Sequence, residues 1–486
     1  MLLVFNFGVD GIIAGLTVSI PRFRADYGHL VEIAPAVEDY VIPATWLAVF
    51  AAVSQATSVL GAFVAGYSAD KVGRRWTNAI SCVIALGGVS AQYFSNGSLD
   101  VLVAGKAIKG IAVGMWIVVC PTYVSEIAPL RVRGVLASMT DSILFAGAFL
   151  FTGIGYVVAP RPGKDSYLIL FACQWIIPAF VLLTTFFSPE SPVWLSRQGR
   201  RAAAQRALHK IHGAKANTRK DGILAQIEQT LARERGQRAH QDETNSYLEC
   251  FSKNNRRRTF TTMFVYTCQY LSGNTLVLGY QTYVYQLTLG WSTQKAFAVG
   301  LGATGWFFAC NIIAWVLIAK LRRRQFLVWG QLGASVSLFL MGGCLMAGTN
   351  ARTAGLAAVA FIYLGGFFYE IGLATVGWCI GAELPALRMR SRTQALANMC
   401  LHAMSWVQAF IFPYMFNPDA GNLGGKIAFY FAATTFVGFV GCFFLLPETL
   451  NRSPAEMDIL FERKTPIRKF HEAWIDDAYV TDLAMD

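Results

Sequence analysis

Apolar runs of helical length recur along this chain, separated by short stretches where Gly, Asn and charged residues collect. A helix needs about 20 predominantly apolar residues to cross a bilayer. Twelve runs fit, at 2–20, 44–68, 76–95, 101–124, 134–158, 166–188, 259–286, 294–319, 326–347, 355–380, 394–416 and 426–446. Between the sixth and seventh lies the one long polar stretch, 189–258, with 15 Lys/Arg against 7 Asp/Glu and amphipathic pieces such as RRAAAQRALHKIHG. The pattern predicts an all-α membrane protein of 12 transmembrane helices. A six-helix half occupies 1–188, a cytosolic linker 189–258, a second six-helix half 259–446 and a cytosolic tail 447–486.

Composition agrees. Of 486 residues, 55% are hydrophobic and 14% charged, against about 25% charged in soluble domains. That excludes a secreted disulfide scaffold, a disordered chain and an ordinary cytosolic enzyme. The net charge of +12 raises nucleic acid as a partner. The basic residues, however, sit in clusters between spans: DKVGRR (70–75), RVRG (131–134), the linker, KLRRR (320–324) and LRMRSR (387–392). If spans alternate, all of these fall on one side, and the positive-inside rule makes that side cytosolic, with both termini. The first opposite loop, 21–43, carries four acids against two Arg. Lipid is the expected surroundings and nucleic acid is not a partner. The ten Cys are scattered singly, with no CxxC and no His at metal-ligand spacing, so they read as reduced small hydrophobes. No metal or cofactor is expected. The N-terminus lacks a basic n-region and a cleavage site, and reads as a spanning segment rather than a removable leader.

Internal repetition supports two similar halves. EIAPLRVR from Glu126 and ELPALRMR from Glu383 both place Arg five and seven residues after the Glu. PES at 189–191 is answered by PET at 447–449, and Arg74-Arg75 by Arg323-Arg324. Parallel-repeat transporters are built from such halves.

On these residues the chain resembles the sugar porters of the major facilitator superfamily, along nearly its whole length. GYSADKVGRR (66–75), PTYVSEIAPLRVRG (121–134), PESPVWL (189–195) and PET (447–449) resemble the family's motifs in their expected order. CQYLSGNTLVLGYQTYVYQ and PYMFNPDAGNLGGK resemble its fungal maltose/α-glucoside permease-like branch. The resemblance implies the major facilitator fold and a plasma-membrane carrier that imports a sugar by proton symport with alternating access, the halves rocking about a midplane site. It implies no enzymatic activity.

It also implies residue roles. Asp70, Arg74, Arg75, Glu126, Arg131, Arg133 and Glu190 form one cytosolic acid–base set, and Arg322 to Arg324, Glu383, Arg388, Arg390 and Glu448 the second. Ion pairs made when that side is shut and broken when it opens act as a latch, although loop solvation alone is the plainer reading. Asp10 lies mid-span in FNFGVDGIIAG, and Lys106 and Lys109 lie in AGKAIKG. In proton-coupled members a helix 1 Asp here carries the proton, with an Arg at the place of Lys106. Burial beside a cation lets accessibility switch protonation, whereas Lys lacks the guanidinium's bidentate fork. A static Asp–Lys pair is the alternative.

For the sugar, Gln269 and Asn274 hold the family's hydroxyl-binding amide positions, and Tyr280, Gln281 and Tyr283 offer further groups on helix 7. Trp378, five residues before Glu383, holds a ring-stacking position. Asp141, eight residues after Arg133, stands where the family has an amide. His402 and Glu370 read as polar contacts between helices. GLGATG (300–305) sits inside an apolar span and reads as small-residue packing. Two other classes remain: an exporter or importer of a non-sugar organic compound such as a secondary metabolite, for which Asp141 and Lys109 would serve the ligand, and a non-transporting nutrient sensor. The short segments outside the spans argue against a sensor.

Overall fold

A computed structural model describes residues 2–34, 37–127, 130–212, 224, 247–253, 255–318, 322–346, 351–386, 389–450 and scattered residues from 456 to 470. Each of the twelve expected spans is helical there. In chain order the first six are α1 (Leu2–Val18), α3 (Ala44–Lys71), α4 (Arg74–Tyr93), α5 (Leu99–Ile127), α6 (Leu130–Val158) and α7 (Asp165–Thr185). Short helices α8 (Pro192–Arg197) and α9 (Arg201–His212) open the linker. The second set is α10 (Arg256–Leu271) with α11 (Gln281–Leu289), α12 (Thr293–Ile318), α13 (Arg323–Met346), α14 (Ala351–Tyr369) with α15 (Thr375–Glu383), α16 (Arg390–Phe416) and α17 (Ile427–Leu445).

Among the described residues eight of these are long and apolar enough by themselves to cross a membrane, α14 and α15 counting as one. A ninth follows if α1 and the short α2 (Pro21–Tyr27), bent from it by 78°, form one span. The others fall short for visible reasons. α4 opens on Arg74-Arg75 and buries Thr77, Ser81 and Gln92. The apolar part of α6 is Ser142–Val158, and the seventh span is broken.

Two breaks depart from the sequence expectation of unbroken helices. Asn274 leads into a π-helical turn, Thr275–Gly279, after Gly273 adopts φ +77°. Glu370–Ala374 forms a second between α14 and α15. A wider turn frees backbone carbonyls, which must find partners inside the protein. Thr375 Oγ1 donates to the Glu370 carbonyl at 2.8 Å. The loop 21–43 also holds an antiparallel hairpin, β1 (His29–Ala34) with β2 (Val37–Val41), His29 facing Val41 and Leu30 facing Tyr40.

The described residues cluster into two compact units: 1–13, 53–151 and 161–245; and 14–52, 152–160 and 246–486. In the first, small residues let helices meet at backbone distance. A Cβ on Gly114 of α5 would lie 1.9 Å from the Ser58 carbonyl of α3. Leu3, Val4, Cys82, Ala112 and Trp116 form part of its core. In the second, Val265, Leu327, Leu373 and Cys442 pack with Met457, Leu460 and Phe470 of the tail. Arg258 holds that tail by donating to the Met457 carbonyl at 3.3 Å and lying 4.4 Å over the Phe461 ring.

Candidate functional site

The first constellation lies within the first unit. The side chains of Asp10 of α1 and Lys106 of α5 are each 1% exposed, and that of Lys109 is 0% exposed. Lys106 Nζ donates to Asp10 Oδ1 at 2.8 Å and to the Asp10 carbonyl at 3.1 Å. Lys109 Nζ sits 3.0 Å from the same Oδ1 and donates to Gln174 Oε1 of α7. Ser54 of α3 donates to Asp10 Oδ2 at 2.6 Å. Charges buried in a membrane core persist when paired or facing a water-filled path, and here they are paired. The expected Asp10–Lys106 pair is thus one side of a triad. Lys109, weighed in the sequence for a non-sugar ligand, meets Asp10 instead. Its spacing of three from Lys106 puts both on one helix face, a signal that was available.

The second constellation is in the second unit. Buried polar atoms without a hydrogen-bond partner among the described residues include Gln269 Nε2, Asn274 Oδ1, Tyr280 Oη and Gln281 Oε1. Tyr285 Oη and Thr288 Oγ1 add to them; buried polar groups are almost always paired, so six orphans on one broken span are a strong departure. Tyr280 stacks on Phe412 at 4.5 Å, and the Gln281 amide nitrogen donates to the Gly300 carbonyl at 3.4 Å. Asn274 also lines a small cleft with Ser272, Phe307, Tyr369 and Glu370. Asn311 donates to Glu370 Oε2 at 3.3 Å, as expected of a polar contact between helices. His402 Nδ1 and both Gln331 side-chain polar atoms are further orphans, and Gln331 was not singled out in the sequence. Two further expected ligands, Tyr283 and Trp378, carry contacts of their own. Tyr283 commits its hydroxyl to Asn417 Oδ1 at 2.8 Å. Trp378, 39% exposed, meets Tyr266 edge-on at 5.3 Å.

Asn417 continues a clasp within this unit, donating to the Ile42 carbonyl and to Asp419 Oδ1. Asp419 accepts from Ala44 N at 2.8 Å. Arg24 of α2, 4% exposed, donates to the Val18 carbonyl, Gln286 Oε1 and Asp39 Oδ2 within 3.0 Å. Ser19 Oγ bonds Thr282 Oγ1 at 2.7 Å.

At the linker end the repeat is geometric as well as sequential. In the first half Arg74 pairs with Glu126 at 3.0 Å, and Glu190 accepts from the backbone N–H of Arg74 and Arg75 at 3.0 and 3.2 Å. In the second, Arg323 pairs with Glu383, and Glu448 accepts from Arg323 N and Arg324 N at 3.1 and 3.3 Å. Arg75 and Arg324 each donate to a carbonyl near the end of the half's last helix, Phe186 and Phe443. A carboxylate on the first N–H groups of a helix satisfies orphan donors and faces the positive end of its dipole. Asp70 is looser, 76% exposed and 3.4 Å from Arg74. The side chains of Arg131, Arg133, Asp141, Arg388 and Arg390 lie outside the described residues.

The family model described as "Sugar (and other) transporter" matches residues 1–461. The chain belongs to that sugar porter family of the major facilitator superfamily. Within it the fungal maltose-like branch is the match. A general alpha-glucoside permease of Saccharomyces cerevisiae is 30% identical over 474 residues, covering 96% of this chain and 75% of that protein. The MFS transporter fmqE of Aspergillus fumigatus is 28% identical over 476 residues, covering 96% and 85%. Among solved structures, the inward-open xylose transporter XylE from E. coli superposes with a TM-score of 0.73 at 18% identity, over 94% of this chain and 98% of that one. That likeness establishes a common fold. This sugar porter is therefore a multi-pass membrane transporter of the major facilitator fold, whose 12 helices form two six-helix halves, and not an enzyme.

Proposed function

We propose that this porter imports a sugar of the maltose or α-glucoside type, or a hexose, across the plasma membrane by proton symport with alternating access, both termini facing the cytosol. The observation that carries the sugar reading is the row of unpartnered buried groups at Gln269, Asn274, Tyr280 and Gln281. Amides and phenols in that density suit a ligand covered in hydroxyls, and an exposed Trp378 suits the apolar face of a pyranose ring. The alpha-glucoside permease relative supports the same substrate class. Tyr283 serves beside them as a support through Asn417, and Asp141 belongs to the same proposed site.

Proton coupling is assigned to Asp10 with Lys106. A dry carboxylate held by ammonium groups exchanges protons with water only when the helices part, which ties protonation to conformation. Asp70, Arg74, Arg75, Glu126, Arg133, Glu190, Glu383, Arg390 and Glu448 form the cytosolic latch. Exposed pairs contribute only about 0–1 kcal/mol each, so the partly buried Arg74–Glu126 and Arg323–Glu383 pairs dominate it.

The test is external pH in a lightly buffered suspension of sugar-transport-null yeast expressing the chain, with maltose, then glucose, then other α-glucosides added. Alkalinisation on one of them names the substrate. Asp10→Asn should abolish accumulation against a gradient while sparing exchange. No response to any sugar with confirmed surface expression refutes sugar symport, and accumulation surviving Asp10→Asn refutes the coupling site.

A further inference from the structure

Two buried amides flank the Asp10 cluster within the first unit. Asn6 of α1 is 1% exposed, and neither its side-chain nitrogen nor its oxygen has a hydrogen-bond partner among the described residues. It precedes Asp10 by four residues, which puts both on one face of α1, about 6 Å apart along the axis. Gln92 of α4 is 0% exposed. Its nitrogen reaches the Gly88 carbonyl at 3.4 Å, and its Oε1 has no partner among the described residues. Buried polar groups are almost always paired, so two unpaired amides around one ionic cluster call for an account.

Glycines set the level of Gln92. A Cβ on Gly88 would lie 2.6 Å from Lys109 N, and one on Gly105 would lie 2.8 Å from Gln92 N. α4 and α5 therefore meet at backbone distance, with Gln92 beside Gly105 and one helical turn from Lys109. Tyr93 and Trp175, the residues that follow Gln92 and Gln174, bring their rings to 5.0 Å, and Gln174 Oε1 accepts from Lys109. The polar groups run as one seam, from Gln92 past Gln174 and Lys109 to Asp10 and on to Asn6. Its two ends differ. Cys120, in the same core as Leu3 and Trp116, bonds Asn78 near the start of α4, so Asn6 looks toward the Arg74 end of the unit. Gln92, in the last turn of α4, looks toward the other end. Apolar side chains close both, with Leu3 and Val4 packed on Val113 and Trp116 beyond Asn6 and the Tyr93–Trp175 pair beside Gln92.

We propose that the coupled proton reaches and leaves the Asp10 cluster through this seam, with Gln92 holding water on one side of the cluster when the helices part and Asn6 holding it on the other. An amide offers two N–H donors and an oxygen acceptor and carries no titrating proton, so it lines up water without trapping the proton. The cluster is loaded through one station and emptied through the other. In each step O–H bonds of successive waters break and form, one proton moves between bulk water and the cluster, and the amides are unchanged. Asn6 and Gln92 are positioning residues. The proposal rests on the proton-coupled reading above.

The test has a sugar-free arm and a sugar arm, both on Asn6→Leu, Gln92→Met and the double variant, which keep side-chain size and remove unpaired groups. First, the purified, lipid-reconstituted chain is moved into heavy water, and infrared spectra follow the carboxylate stretch that Asp10→Asn deletes. That band shifts as the amines and the hydroxyl bonded to Asp10 take up deuterium. The double variant should slow the shift about tenfold, because a relay out of line loses rate steeply, and Asn6→Ser, which keeps a hydrogen-bonding group, should shift faster than Asn6→Leu. Second, maltose-driven alkalinisation should fall about tenfold in either single variant, while exchange of labelled maltose between equal pools is unchanged. An unchanged deuteration rate in the double variant overturns the proposal. So does alkalinisation that falls only in step with exchange, since the amides would then serve the fold. If no sugar moves protons in the parent chain, the symport reading fails, and the deuteration arm still decides whether water reaches Asp10 by this seam.

Discussion

Replacing Gly73 by Ala strikes two interactions at once, and a cycle of variants separates them. Gly73 precedes α4 at φ +99° and ψ 164°, a region essentially restricted to glycine, where another residue costs about 1–3 kcal/mol. The new Cβ would also lie 2.5 Å from Glu190 Oε2 and 2.9 Å from its Cδ. The carboxylate ends a side chain that can withdraw, and withdrawing gives up the Arg74 and Arg75 backbone N–H bonds. Loss of such a cap costs about 0.5–2 kcal/mol. Gly73→Ala should therefore cost about 1.5–5 kcal/mol, Glu190→Ala only the cap, and the double variant no more than Gly73→Ala alone. The coupling in the cycle should equal the shared cap, about 0.5–2 kcal/mol. The assay is reversible unfolding in mixed detergent micelles, followed by the fluorescence of Trp194, which is buried and donates to the Asp70 carbonyl at 2.9 Å. A loss below about 1 kcal/mol for Gly73→Ala, under the strain alone, or strict additivity with Glu190→Ala, would refute the reasoning.

Three further outcomes follow from the same geometry. Tyr280→Phe removes a buried hydroxyl without a partner while keeping the ring on Phe412; unfolding should be unchanged or harder, because an unsatisfied group costs about 1–3 kcal/mol, whereas the KM for the transported sugar should rise. Lost stability with unchanged uptake would show that the hydroxyl serves the fold. Arg24→Gln cuts the clasp to Val18, Gln286 and Asp39; if that releases 1–2 kcal/mol, labelling of Ser19→Cys by a membrane-impermeant maleimide should rise about 5- to 30-fold, and unchanged labelling sinks the idea. All ten cysteines are free thiols, so dithiothreitol should leave the unfolding midpoint where it was, and a shift would reveal a disulfide.

The helices were legible because a bilayer makes apolar length a nearly sufficient signal. Each of the twelve runs is helical, and the amphipathic RRAAAQRALHKIH of the linker is α9. What stayed hidden was local departure from regular structure inside apolar sequence. The turns at Thr275–Gly279 and Glu370–Ala374 lie in largely apolar sequence whose periodicity does not announce a break, although Gly273 and Asn274 precede the first and Glu370 opens the second. The hairpin at 29–41 is masked by the acids of its loop, Glu32, Glu38 and Asp39, which are depleted in strands, although Val31, Ile33, Val37, Tyr40 and Val41 favour them. In the candidate site, Asp10 and Lys106 stand out because a charge within a span must pair or face water. Gln331, buried with both polar atoms orphaned, was passed over because a single glutamine in an apolar run carries no such alarm.

The two halves share one set of contacts and differ in another, and the physics bears on which. Glu190 and Glu448 bond the same pair of backbone amides in each half, and Arg74 and Arg323 each hold the matching Glu. Every half must end its last helix against the start of another, so orphan N–H groups there need a carboxylate in both copies. The Asp10, Lys106 and Lys109 triad belongs to the first half, and the row of unpaired amides and phenols from Gln269 to Gln281 to the second. A second ionic triad would bury a second set of charges in the membrane core, at a cost of several kcal/mol wherever pairing is incomplete. On the proton-coupled reading proposed above one such site suffices, which leaves the matching stretch of the other half open to diverge toward the proposed ligand.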